Sequence, residues 1–292
     1  MKCISHWIEA MRLRTLPVSV AGVFAATGMC VVHYAVDWTA AALCLVFAVL
    51  AQIASNFANE YFDYRAGRDR RGRSGPRRGV TEGDITPRAM LIATLITLAA
   101  ACCVGLSLVL WGGLWLIAMG LLIAVGVFAY STGPYPLSTK GWGEVAVVFF
   151  FGIIPVNLTC YVQMLQWSAD VFAMSLAVGL LGANVLIINN YRDVEDDVAV
   201  GKLTLAVRCG RPAMRGIYAA NTTAAALLTA PLWGMMHPSL GYVAVSLPLA
   251  ATFIVRAMAR RSGAALTPLL GITSVLMCAY SLAFFIVALY LN

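Results

Sequence analysis

The chain has 292 residues, of which 61% are hydrophobic and 11% charged, with a mean hydropathy of +0.83. That balance excludes a soluble globule and identifies an integral membrane protein. The net charge of +7 does not imply nucleic acid, because the arginines fall in short segments between apolar runs, where topology and anionic headgroups account for them. Membrane lipid is the expected surrounding, and no nucleic-acid partner is expected.

In chain order, Lys2, Arg12 and Arg14 precede the first apolar run without a small-residue cleavage site, which predicts an uncleaved first helix. Runs of spanning length lie near 16–34, 39–60, 89–110, 112–130, 144–164, 171–190, 213–232, 240–257 and 265–290. The expected fold is therefore an all-α membrane bundle of about nine transmembrane helices. Of the 20 Lys and Arg, 18 fall in the N-terminal tail or after the second, fourth, sixth and eighth runs, and Arg215 and Arg256 stand at the adjoining ends of the seventh and eighth, which places those segments and the N-terminus on the cytoplasmic side of a cell (inner or plasma) membrane. The eight cysteines form no CxxC pair and the three histidines no cluster, so neither zinc, haem nor a disulfide framework is expected.

The second run ends in Asn56, Asn59, Glu60 and Asp63, and the sixth in Asn189, Asn190, Asp193 and Asp197. Carboxylates near the bilayer core cost roughly 2.5 kcal/mol or more on insertion scales, so two such stripes imply one shared polar cavity. On a helix Asn56, Asn59 or Glu60, and Asp63 share a face, and Gly67 can end that helix so that Asp69 folds back. Asn189, Asp193 and Asp197 repeat the pattern at i, i+4 spacing. Such oxygens suit Mg²⁺, which binds together with substrate phosphates. The basic residues that follow the stripes, Arg73 and Arg78 after the first and Lys202 and Arg208 after the second, suit the phosphates directly. The run from Arg65 to Arg78 also serves as a topogenic patch, and Arg12 and Arg14 are read here as membrane anchors. Tyr61, Phe62, Tyr130 and Tyr191 are read as interfacial aromatics. Because the stripes lie four runs apart on one side, one domain over 1–292 with a pseudo-repeat is expected, helices 1–4 at about 12–131, helices 5–8 at about 142–260, and a final helix at about 265–290.

Three segments, Asn59-Glu-x-x-Asp63-x-x-x-Gly67-x-Asp69, Arg73-x-Gly-Pro-x-Arg78-Gly79 and Asn189-Asn-x-Arg-Asp193-x-x-x-Asp197-x-x-x-Gly-Lys202-x-Thr204, resemble the UbiA superfamily of intramembrane aromatic prenyltransferases. Gly67-x-Asp69, Gly75-Pro76-x-Arg78 and the Asn189-Asn190 pair are similar to its 1,4-dihydroxy-2-naphthoate branch, which serves menaquinone synthesis. Arg12-Leu-Arg14-Thr15-Leu16-Pro17, and Tyr130-Ser-Thr-Gly133-Pro134 with Gly141-Trp-Gly143-Glu144, extend the likeness. The resemblance implies Mg²⁺-dependent transfer from a polyprenyl diphosphate to 1,4-dihydroxy-2-naphthoate with decarboxylation, giving demethylmenaquinol and pyrophosphate. It implies metal ligands at Asn59, Glu60, Asp63, Asp69, Asp193 and Asp197, with Asp63, Asp193 and Asp197 central to catalysis. Asn56, Asn189, Arg73, Arg78, Lys140, Lys202 and Arg208 would contact the diphosphate. Glu60 departs from the family, which usually has aspartate there. The alternatives are another aromatic acceptor, such as 4-hydroxybenzoate or homogentisate, and a secondary transporter, whose acids would sit nearer mid-bilayer.

Overall fold

A computed structural model describes residues 2–72 and 74–292, and the regular structure among them is entirely helical. The long elements are α1 (Lys2–Met11), α2 (Leu16–Val32), α3 (Trp38–Arg65), the short α4 (Gly79–Glu82), α5 (Pro87–Ser107), α6 (Leu116–Ala129), α7 (Gly143–Met164), α8 (Ala169–Arg192), α9 (Leu205–Met236), α10 (Pro238–Arg260) and α11 (Gly263–Leu291). With no water in a bilayer core to satisfy an exposed backbone, helices are the form that such apolar runs adopt.

Seven helical stretches among the described residues are long and apolar enough to cross a membrane: Ile4–Val32, α3, Pro87–Gly112, α7, α8, α10 and α11. The chain is thus a multi-pass membrane protein. The expected run at 112–130 forms only the 14-residue α6, which rises about 21 Å, less than the roughly 30 Å of a hydrocarbon core. The run at 213–232 lies within α9, whose first turns carry Arg208, Arg211 and Arg215.

Helix α8 is the centre of the bundle, with Ile187, Ile188, Ala177 and Ser175 fully buried, and it packs on α2, α7, α9 and α11. Its approach to α7 is unusually close. A Cβ on Gly152 would lie 2.3 Å from Gly179 Cα, so only glycine permits this crossing. Just before Pro155, α7 widens into a π-turn over Val148–Ile153. The proline ring displaces the carbonyl four residues back, and the extra residue absorbs the clash.

Polar groups pin the end of the bundle away from the basic segments. Asp37 caps α3 by accepting from Ala40 N at 2.9 Å and from Trp111 Nε1 at 2.7 Å. His33 Nε2 meets Asp170 Oδ2 at 2.7 Å. The backbone and indole N–H groups on Asp37 stabilise its ionised form and hold its carboxyl below the ordinary value of 3.8. At the opposite end α1 lies over α3 and α4, with Trp7 edge-on to Phe57 at 5.7 Å.

Candidate functional site

Helices α3 and α8 carry the polar stripes because each continues past its apolar stretch for about two more turns. Helix α3 ends at Arg65, and Gly67, with φ of 66°, turns the chain back. Asn56, Asn59 and Asp63, spaced three and four apart, come onto one face. Together with Asn189, Asp193 and Asp197 they line a single cavity of about 170 Å³. Three loops close over it: Arg70 Nη2 donates to Ala199 O, Ser74 N to Asp196 Oδ2, and Leu203 N to Thr139 O.

Each acid in the cavity is held by a partner. Asp63, 2% exposed, accepts from Lys202 Nζ at 3.1 Å and Arg68 Nη1 at 3.3 Å. Asp193 takes a two-pronged contact from Arg192, at 2.6 and 2.9 Å. Arg192 Nη2 also donates to Asn189 Oδ1 at 2.8 Å. Asp197 accepts from Thr204 Oγ1 at 3.3 Å. Asn59 receives Arg12 Nη2 at 2.6 Å and donates to Ser131 Oγ at 2.9 Å. Asn56 donates to Met11 O at 2.9 Å.

The remaining sequence candidates divide. Arg78 and Lys202 line the cavity and are buried. Glu60 and Asp69 are buried beside it but do not line it. Being one residue from Asn59, Glu60 points about 100° around the helix. Its Oε1 accepts from Val80 N at 3.0 Å in α4, and Arg78 stands 4.0 Å from its other oxygen and 3.6 Å from Asp69. Lys140 and Arg208 lie off the cavity wall, Arg208 being exposed with Nε donating to Leu203 O. Arg73 falls outside the described residues.

Several groups in or behind the cavity wall carry no site role in the sequence reading. Arg12, read as an anchor, instead directs its guanidinium into the cavity, from a backbone with φ of 54°. Tyr130 also lines the cavity, whereas Tyr191 is buried elsewhere, donating to Met258 O. Arg192 is 1% exposed. It ends α8, and its burial there follows from its acidic partner Asp193. Gln52 gave no pattern in the sequence, and Glu144 and Asn190 stood in separate motifs with nothing to show that they pair.

A second, apolar cavity of about 340 Å³ adjoins the first, between α2, α3, α5, α6 and α7. The two share Gln52, Ser55, Tyr130, Val147 and Phe151 as wall. No group of three or more His, Cys, Asp or Glu among the described residues stands close enough to hold an ion. The carboxylate and amide oxygens around the polar cavity are, all the same, the donor type of a hard divalent cation. Taken together, a chamber of acids and cations adjoins an apolar one, so a ligand with an anionic head and a long hydrocarbon tail matches the pair.

Comparison with known proteins agrees. The model of the UbiA prenyltransferase family matches residues 20–270. The chain is 37% identical to the 1,4-dihydroxy-2-naphthoate octaprenyltransferase of Mycobacterium leprae over 97% of this chain and 96% of the relative. It is 35% identical to the enzyme of that name from Escherichia coli, over 73% and 71% of the two chains. A UbiA homolog from Archaeoglobus fulgidus, solved bound to DMAPP and Mg2+, shares the fold with a TM-score of 0.69 at 16% identity, covering 96% of this chain and 99% of that one. By sequence and by fold, the chain belongs to the UbiA prenyltransferase family.

Proposed function

We propose that this protein transfers a polyprenyl group from polyprenyl diphosphate to 1,4-dihydroxy-2-naphthoate, releasing pyrophosphate and carbon dioxide and giving demethylmenaquinol. The observation that carries this reading is the pairing of a chamber walled by Asp63, Asp193, Asp197, Lys202 and Arg12 with an apolar one. Relatives named 1,4-dihydroxy-2-naphthoate octaprenyltransferase that match most of this chain support the acceptor.

In this reading the allylic C–O bond breaks and its electron pair leaves with the diphosphate. The carboxyl-bearing ring carbon bonds to the prenyl cation, and the pair freed as carbon dioxide departs restores the aromatic ring. Lys202, Arg12 and Arg78 offer positive charge and N–H donors to the departing diphosphate. The apolar chamber takes the isoprenoid tail and keeps water from the cation. Mg²⁺ fits the oxygen donors Asn59, Asp63, Asn189, Asp193 and Asp197, with Glu60 and Asp69 adjoining, and would neutralise charge on the leaving group. Arg192 holds Asp193 and Asn189 in register for that role.

The proposal extends to topology. About nine spans, with α9 and, where the bilayer thins locally, the short α6 as the two beyond the seven, form a single domain whose halves repeat at about 12–131 and 142–260. The N-terminus and the polar cavity face the cytoplasm of the cell membrane, following the distribution of Lys and Arg. The direct test is product mass from purified enzyme with octaprenyl diphosphate, Mg²⁺ and either the naphthoate or 4-hydroxybenzoate. A prenylated, decarboxylated naphthoquinol is the predicted product. Product only from hydroxybenzoate would reassign the acceptor, and none from either would reject prenyl transfer.

A further inference from the structure

One wall of the polar cavity carries groups that diphosphate binding leaves unused. Glu144, in the first turn of α7, is 7% exposed. Its Oε1 accepts from Asn190 Nδ2 at 2.9 Å, and its Oε2 is buried without a hydrogen-bond partner. Asn190, Tyr130 and Ser138 line the cavity, and Ser138 Oγ is likewise buried without a partner. Tyr130 Oη lies close by, 3.8 Å from where a Cβ on Gly143 would stand.

The chemistry of this corner follows from what each group can donate. Glu144 Oε1 accepts from Asn190 Nδ2, which holds the Asn190 amide with its nitrogen turned toward α7. Asn190 Oδ1 is thereby left to the cavity, where no described residue donates to it. A glutamate serving only the helix dipole would do so at lower cost facing water, whereas this one is desolvated and committed to a neighbouring helix. The cavity wall therefore presents one fixed carbonyl acceptor together with two hydroxyl-bearing residues, Tyr130 and Ser138, groups that suit an aromatic hydroxyl.

We propose that Asn190, Tyr130 and Ser138 form the subsite that receives a ring hydroxyl of the aromatic acceptor, with Glu144 as the positioning residue that orients Asn190. The assignment rests on the prenyl-transfer reading above. A hydroxyl donating to Asn190 Oδ1 is held in one orientation, and its oxygen gains electron density to release into the ring at the carbon that is attacked.

The test compares KM for 1,4-dihydroxy-2-naphthoate and for octaprenyl diphosphate in wild type, Glu144→Gln and Glu144→Asp. Glutamine keeps the size of the side chain but can donate as well as accept, so the Asn190 amide loses its fixed sense. Glu144→Gln is expected to raise the naphthoate KM roughly tenfold or more while leaving that for octaprenyl diphosphate within about twofold, and Glu144→Asp to recover part of the loss. An unchanged naphthoate KM, or an equal rise for both substrates, overturns the proposal. A second measurement needs wild type alone, the inhibition constants of the two monomethyl ethers of the naphthoate. One ether is expected to bind roughly tenfold or more weakly than the other, and equal binding of both overturns the subsite. Wild-type enzyme that leaves the naphthoate unprenylated refutes the underlying reading instead, before any variant is compared.

Discussion

Charge pairing at single residues sets the chemistry of the cavity. Asp63 is buried and paired with the buried Lys202 and the half-buried Arg68, and removing one member of such a pair strands the other charge. Asp63→Asn is predicted to lower kcat/KM at least roughly a hundredfold with the bundle still folded, read by turnover alongside size-exclusion behaviour. Arg192 binds Asp193 through two N–H groups, a fork that an ammonium cannot reproduce. Arg192→Lys is therefore predicted to raise KM for octaprenyl diphosphate roughly tenfold, and an unchanged KM would return Arg192 to a purely structural role. At this scale the sequence was legible where residue type and helical spacing coincide, as for Asn59, Asp63, Asp193 and Asp197. It was silent where the fold decides. Arg12 reaches Asn59 across 47 positions of chain, and Glu60 turns to Val80 because the path of the loop brings α4 beside it.

Among the elements, helix existence followed from hydropathy, and helix ends followed from caps. Asp37 and Thr86 cap α3 and α5 through their side chains, and Pro87 begins α5. The Asp37 carboxyl is held below its ordinary value by its N–H donors. Its contribution is therefore complete above that ordinary value and is lost as pH falls through the lower folded value. Asp37→Ala is predicted to cost about 1 kcal/mol at neutral pH and to flatten the acid limb of a thermal-melt series. Equal acid sensitivity in the variant would place that limb elsewhere. Close helix approach was not legible, since Gly152 and Gly179 are two glycines among 25. Gly179→Val is predicted to destabilise by roughly 1–3 kcal/mol or to prevent folding, because its first carbon would meet Val148 O at 2.7 Å. Wild-type stability there would mean that the helices separate freely.

For the whole molecule, two polar helix ends separated by about four helices meet in one chamber, and an apolar chamber abuts it. Composition and the repeat of the stripes made the polar chamber legible, because buried acids need a common interior. The apolar chamber was not, since its lining of Val, Leu, Ala and Phe reads like any lipid-facing or core surface. Its role in holding the tail predicts that Ala124→Trp, which fills part of it, raises KM for octaprenyl diphosphate well above that for dimethylallyl diphosphate. Equal effects on both would remove the tail from this chamber. The central claim is that both stripes bind one diphosphate, and calorimetric titration of pyrophosphate with Mg²⁺ into wild type, Asp63→Asn and Asp193→Asn tests it most directly. Each single variant is predicted to weaken binding roughly tenfold or more, and wild-type affinity in either one would contradict a shared site.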